Sequence, residues 1–352
     1  MVEAHAHLGQ DEDGMSLDPD GLVAMLDTAD AARSLVFPLH DPRRDPAYRV
    51  PNDEVLGWAA ASGGRFIPFC RLDPTQEPVA EAERCLAAGA RGIKLHPRAQ
   101  SFNLVGLCEP IFALAEQANV PILIHAGRGL PEAFGRELVE VAQLHPGANL
   151  ILAHVGVADQ GTLADGLRGH PGAAFDTSWM NMYDTLALFA RVAPERIVFG
   201  SDPPYGRTFI GLYLALRALA SLGADADTRR AVVGGTVTRM VEGEELAQTT
   251  APLAPERLVV DAKLARVHSN LMMVLGSTFA GNTERAVDLL WLSQMACRDQ
   301  NPGAAGAALE RIGALLDIGQ RLFIDYPDSP RIAGPAVVLA MAIAATEVPQ
   351  QA

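Results

Sequence analysis

The chain has 352 residues, 49% of them hydrophobic and 20% charged, a balance that suits a folded globule and excludes a disordered chain. The net charge is −14. The last hundred residues are near neutral, with 8 basic against 10 acidic side chains, so the first 252 carry 20 against 32. An acidic body excludes a nucleic-acid backbone as the main partner, because phosphate binding needs basic surface.

Four cysteines, Cys70, Cys85, Cys108 and Cys297, show no CxxC spacing. Reduced thiols and a cytoplasmic location are the expectation. No basic n-region with an apolar core precedes the first motif, so no signal peptide is expected. The longest apolar run, 332–346, is short for a bilayer span and contains Gly-Pro, so no membrane insertion is expected. Only two lysines occur, Lys94 and Lys263.

The first element is VEAHAHL at 2–8. On a strand, residues i and i+2 face the same way, so His5 and His7 stand side by side, an arrangement that suits a metal. Seven more apolar, β-branched runs follow: SLVFPLH (34–40), RFIPFCRL (65–72), RGIKLHP (91–97), VPILIHAG (120–127), LILAHVG (150–156), AAFDTSW (173–179) and RIVFGSD (196–202). The segments between them carry helix signals. SLDPDGLVAMLDTADAA opens on a capping residue, and QEPVAEAERCLAAGA has Pro in its first turn and Gly at its end. EPIFALAEQANV, LPEAFGRELVEVAQLHPGAN, GLYLALRALASLGA and ADTRRAVVGGTVTRMV read alike.

Eight strand–helix units over residues 1–245 predict an α/β fold, a (β/α)₈ TIM barrel. An open doubly wound sheet would want a Gly-rich turn after the first strand, and HLGQDEDGM has no G-x-G-x-x-G. Residues 246–255 read as a linker. Beyond it the pattern is helical only, with helices expected at about 256–275, 282–299, 303–321 and 335–347, so 256–352 is expected to be an all-helical C-terminal domain. The small-residue stretch NPGAAGAALERIGALLDIG favours close helix contacts.

Chemistry in such a barrel sits at the C-terminal strand ends. Those ends supply His5 and His7, His40, Arg71, Lys94 and His96, His125, His154, Asp176 and Asp202 in chain order. One His at a strand end is as well explained by core packing. Histidines at four such ends with an Asp at the eighth are hard to ascribe to chance. His145 and His170 precede Pro-Gly at helix ends and His268 lies in the helical tail, so these three are read as structural.

Together HAHLG, GIKLHP, ILIHAG, ILAHVG and FGSDPPYG resemble the amidohydrolase superfamily, most closely its amidohydrolase-related branch of hydrolases and decarboxylases. VVGGTVTRMVEG is similar to the closing segment of that branch, with Thr236 where Asn is usual. The resemblance covers about residues 1–245 and leaves the C-terminal hundred outside it.

The resemblance implies that His5, His7, His125 and Asp202 are metal ligands and that His154 is the catalytic histidine. Asp202 would also take a proton from the water. Three imidazoles and a carboxylate suit one divalent metal, Zn²⁺ first and Mn²⁺ or Fe²⁺ as alternatives, and such a metal activates water near neutral pH. Binuclear relatives carry a carboxylated Lys on the fourth strand, so a second metal bridged by Lys94 and held by His125 and His154 is the less favoured arrangement.

Lys94, His96, Arg71, Arg98 and Arg128 are candidates for binding a carboxylate-bearing small-molecule substrate, since Arg captures carboxylates bidentately. Trp179 and Tyr205 are candidate pocket walls. The expected activity is hydrolysis of an amide, lactone or ester of a small organic acid. The alternatives are non-oxidative decarboxylation of an unsaturated or aromatic acid, and a non-catalytic binding protein on the same barrel. A nuclease of similar barrel type would want Glu at position 94. Three roles are open to the helical tail: packing against the barrel's outer helices, a homo-oligomer contact, or a cap over the active-site mouth.

Overall fold

The computed structural model describes residues 1–253, 261–298, 302–327 and 329–347. The chain divides into two compact units. One comprises Met1–Trp179, Asp184–Ala215 and Ala224–Ala254, the other Met180–Tyr183, Leu216–Gly223 and Pro255–Ala352.

The first unit is a closed barrel of parallel strands with helices between them. Its strands are β1 (Val2–Gln10), β2 (Arg33–Pro38), β3 in two pieces (Phe66–Pro68 and Cys70–Arg71), β4 (Ile93–Leu95), β5 (Pro121–Ile124), β6 (Asn149–Leu152), β7 (Ala173–Asp176) and β8 (Ile197–Val198). A short arm, Ser16–Leu17, pairs antiparallel with the end of β1. β3 changes partner midway: Phe66–Pro68 pairs with β2, and Cys70–Arg71 pairs with β4. From β4 onward each strand pairs with the next. The barrel closes through Ala4 N–H to the Phe199 carbonyl at 2.8 Å and Asp202 N–H to the His5 carbonyl at 2.9 Å. This is the (β/α)₈ architecture expected of the first 245 residues.

β1 contains a β-bulge. Glu3 pairs with Ser34 and Ala6 with Val36, so the stretch holding His5 has one residue more than its partner. Such an insertion re-aims side chains and leaves a backbone amide outside the ladder.

Apolar residues from most strands fill the barrel's interior: Ala4, Phe37, Ile67, Phe69, Leu123, Ile151, Ala174 and Val198, with Val237, Met240 and Val241 of the last barrel helix packed against them. That helix, Thr236–Glu242, follows an irregular turn at Ala231–Gly235 instead of the continuous helix its sequence suggests. A Cβ at Gly234 would stand 3.1 Å from the Val2 backbone nitrogen, so glycine lets this turn approach the start of β1.

The expected interstrand helices form with their caps. Asp18 caps Pro19–Thr28 by accepting from Gly21 N–H at 2.7 Å. Pro78–Ala87 begins on proline and is followed by Gly89 at φ +107°. Residues 246–253 are neither helix nor strand, but they lie along the barrel unit. Thr250 Oγ1 donates to Glu195 at 2.9 Å, and Leu253 N–H to the Phe189 carbonyl at 2.9 Å. Residues 254–255 of the expected linker lie outside the described residues.

The second unit holds helices Ala262–Phe279, Thr283–Cys297, Gly306–Asp325 and Gly334–Thr346. Each packs on the next and the last packs on the first, a four-helix arrangement. Asp261 and Asn282 cap the first two. The small residues act as expected: a Cβ on Gly319 would sit in ordinary contact with Ala336 at 3.7 Å, so these helices run close. The apolar run at 334–346 is a buried core helix, and no helix among the described residues is long and apolar enough to cross a membrane. Of the expected helical residues, 256–260 and 299 lie outside the described ones.

Candidate metal centre

The strand ends bring His5, His7 and Asp202 together. The nearest approaches are 3.2 Å from His5 Nε2 to Asp202 Oδ1 and 3.3 Å from His7 Nε2 to the same oxygen. One potential ligand atom from each lies within 4.8 Å of the others. Both histidines are buried, and Asp202 is 18% exposed. Asp202 sits in the left-handed region at φ +59°, a conformation uncommon for a non-glycine residue.

Hydrogen-bond bookkeeping shows what this cluster lacks. His5 Nδ1 lies 2.6 Å from Asp176 Oδ2, so its N–H donates to that carboxylate. His5 Nε2 is then left with a lone pair. That lone pair faces Asp202 Oδ1, and neither atom has a hydrogen-bond partner in its buried place. His7 repeats the arrangement more loosely, with Nδ1 3.4 Å from the Pro38 carbonyl. Electron-rich atoms converge with no proton between them. A cation relieves that repulsion, and the donor set of two imidazoles and a carboxylate fits a divalent transition metal.

Electrostatics agree. Burial lowers the His5 pKa to about 4, with the Lys94 charge adding to the effect and Asp202 and Asp176 opposing it. His7 is lowered well below its usual range, by burial first and then by Lys94. Both are neutral at working pH, the form that ligates. Asp176 is pulled well below the carboxylate range, because the His5 and Ser178 contacts outweigh its burial. Its other oxygen accepts from the backbone N–H of His154 at 2.8 Å and of Ser178 at 2.9 Å.

His125 joins a different group. His154 Nδ1–H donates to the Ser178 carbonyl at 2.9 Å, so His154 Nε2 accepts from His125 Nδ1 at 3.0 Å. His125 Nε2 is then left facing the Arg128 carbonyl at 3.4 Å, again two acceptors. The two groups adjoin, since the His5 and His154 rings are 5.1 Å apart. His96 stacks on His125 at 4.1 Å, and its Nδ1 accepts from Ala99 N–H at 3.2 Å. Gly127 makes the His125–His154 approach possible: a Cβ there would stand 2.7 Å from His154 and 2.9 Å from His125.

The basic candidates separate into buried and exposed pairs. Arg71 and Lys94 are register partners on β3 and β4, both fully buried. Lys94 Nζ has no hydrogen-bond partner and lies 4.7 Å from the centre of the Phe37 ring. Burial pushes its pKa down to about 7. Arg71 meets only uncharged groups: the Pro38 carbonyl at 3.2 Å, Gln100 Oε1 at 3.3 Å, His40 Nδ1 at 3.4 Å and the Tyr48 ring at 5.0 Å. Arg98 and Arg128 are exposed. Arg128 lies over the Trp179 ring at 5.5 Å. Tyr205 is 42% exposed and donates to Asp11 at 2.9 Å, with its ring edge-on to His7 at 6.1 Å.

Several contributors do not stand out in the sequence. Asp176 and His40 lie at strand ends, which is a signal, but nothing local says that Asp176 orients His5 or that His40 borders Arg71. Glu3, Tyr48, Gln100 and Ser178 carry no motif.

A parallel (β/α)₈ barrel with histidines and an aspartate gathered at its C-terminal strand ends defines the class of this protein: a barrel carrying a candidate metal site at its mouth. The amidohydrolase family model matches residues 2–242, so the chain belongs to the amidohydrolase family. No curated protein sequence matches. Among solved structures, the chain is similar to a TIM-barrel protein of Bordetella bronchiseptica (13% identity, 69% of this chain and 99% of that one, TM-score 0.54). It is similar to the apo IDCase of Metarhizium anisopliae (18% identity, 70% and 98%, TM-score 0.54). It is also similar to the 5-carboxyvanillate decarboxylase of Sphingomonas paucimobilis (15% identity, 69% and 98%, TM-score 0.51). At these identities the likeness is one of fold.

Proposed function

We propose that the chain is a metal-dependent hydrolase acting on an amide, lactone or ester of a small organic acid, with the chemistry in residues 1–245. The single observation carrying this is the convergence of lone pairs from His5, His7 and Asp202 on one buried point. These three residues would hold one divalent ion, Zn²⁺ by preference and Mn²⁺ or Fe²⁺ as alternatives, with His125 as the further imidazole. When bound, such an ion supplies Lewis acidity and activates water.

The remaining steps belong to the chain. Asp202, the most exposed member of the cluster, takes a proton. His154, its Nδ1–H fixed on the Ser178 carbonyl, acts beside the site through the Nε2 that it shares with His125. Arg71 and Lys94 orient the substrate's carboxylate, helped by His96, while Arg98 and Arg128 attract it at the rim. Arg71 supports this assignment because a buried guanidinium whose hydrogen bonds all go to uncharged groups is costly unless an anion completes it.

That same observation supports a second reading, non-oxidative decarboxylation, in which the cations hold the carboxylate that leaves. The pairing of His125 with His154, beside a Lys94 amine without a partner, supports a variant in which carboxylated Lys94 bridges two metals. Elemental mass spectrometry on untagged protein separates one ion per chain from two. Turnover in ¹⁸O-water separates the reactions: label in the product supports hydrolysis, and CO₂ release without label overturns it. No ion and no turnover would leave a non-catalytic barrel.

A further inference from the structure

The seam that closes the barrel is also where all three proposed ligands reside, His5 and His7 on β1 and Asp202 after β8. One side chain ties both sides of that seam. Glu3 is completely buried, and its carboxyl makes three hydrogen bonds. Oε1 accepts from His5 N–H at 3.0 Å and from Ser201 N–H at 2.8 Å, and Oε2 meets Ser201 Oγ at 2.6 Å.

Each bond has a specific job. The bulge between Glu3 and Ala6 takes the His5 amide out of the ladder, and a buried amide without an acceptor destabilises the fold. Glu3 supplies that acceptor. The Ser201 amide immediately precedes Asp202, whose φ of +59° needs support from its surroundings. Glu3 and the Asp202 N–H bond to the His5 carbonyl hold that turn from both sides. Gly200, just upstream, permits the close approach of the two sides, since a Cβ there would be 3.0 Å from His5 Cβ.

We propose that Glu3 is a positioning residue for metal binding, fixing the His5 bulge and the Asp202 turn in register so that their ligand atoms converge. The inference rests on the metal reading of the site. It assigns Glu3 no contact with metal or substrate. Hydrogen-bonded supports one step behind a metal ligand are commonly worth about 10–100-fold in affinity.

The test measures Zn²⁺ affinity by competition with a chromophoric chelator on the full chain, for wild type, Glu3→Ala, Glu3→Gln and Ser201→Ala, alongside urea unfolding of each metal-free protein. Glu3→Ala is expected to lose at least tenfold in Zn²⁺ affinity. Glu3→Gln is expected to recover to within about threefold of wild type, because its oxygen still accepts both amides and its NH₂ can donate to Ser201 Oγ. Ser201→Ala is expected between the two. Should Glu3→Ala fail to fold, the Glu3→Gln and Ser201→Ala pair carries the test through the same ordering. A folded Glu3→Ala that binds Zn²⁺ as tightly as wild type overturns the proposal while leaving the metal site intact. So does a variant series that shifts the unfolding midpoint and leaves affinity unmoved. Wild type that binds neither Zn²⁺ nor Mn²⁺ overturns the metal reading, and this inference with it.

Discussion

The two units bury polar groups in opposite ways. Among the described residues, the helical unit buries His268, Thr278, Ser293 and Gln294. Two of these bond within their own helix: Thr278 Oγ1 to the Val274 carbonyl at 2.9 Å and Ser293 Oγ to the Leu289 carbonyl at 3.0 Å. The barrel buries Glu3, His5, His7, Arg71, Lys94, His125, His154 and Asp176, several facing groups of the wrong kind. Burying a hydroxyl with an acceptor one turn away costs little. Burying an amine with no acceptor, or two lone pairs face to face, costs stability. His268 Nε2 in the helical unit also lacks a partner, but the unpartnered groups that cluster, His5 Nε2, Lys94 Nζ and Asp202 Oδ1, lie in the barrel, where a ligand would remove the cost.

That contrast can be broken most directly at Asp202. Asp202→Asn keeps the shape and removes the charge, and turnover should fall by about 10³-fold or more, with weakened metal binding. Retained turnover would detach the cluster from function. Gly127→Ala attacks the second histidine group. The added methyl must push the His125 and His154 rings apart, and a loss of about 10-fold to 100-fold in kcat is expected, with folding preserved by circular dichroism. An unchanged kcat would make that pair structural.

The Lys94 contrast is read in stability. Its native pKa near 7 lies below the ordinary 10.5, so between those values the unfolded chain binds more protons. Stability therefore rises with pH in that window, and the penalty is fully present below it. Measured by urea unfolding without metal, wild type should gain about 3 kcal/mol on Lys94→Met between about pH 8 and pH 10. The buried thiols Cys85 and Cys108 and the half-buried Cys297 titrate alike in both proteins and drop out of the difference. A constant difference would show that Lys94 is solvated or paired. The smallest effect belongs to the helical unit: Ser293→Ala should change stability by about 1 kcal/mol or less and leave turnover unchanged. A fall in turnover there would tie the helical unit to the chemistry.

Much of the barrel was legible because its signals are local. A buried parallel strand needs an apolar run, its helix needs a cap and an apolar face, and the barrel puts chemistry at one end of each strand, so position placed His5, His7 and Asp202 at the barrel's mouth, while their role as ligands is what the family resemblance implied. The grouping of His125 was less legible. Its place after ILI marks the strand end, but its partner is set by Gly127 and by the Ser178 carbonyl that fixes the His154 tautomer, two features distant in sequence from ILIHAG. Arg98 and Arg128 follow strand ends as Arg71 does, yet only Arg71 is buried, because loop paths and not strand positions decide exposure.

By itself, then, the sequence determined the eight strand–helix units, the separate helical tail and the ligand types available at the barrel's mouth, since periodicity, capping and strand-end position are properties of neighbouring residues. Tertiary structure alone decided which lone pairs meet, that Asp176 turns His5 toward Asp202, that the Arg71 guanidinium hydrogen-bonds uncharged groups, and that Glu3 joins a bulge to a turn 198 residues away. Those outcomes depend on closure of the barrel, which brings the first strand against the last and has no counterpart in local pattern.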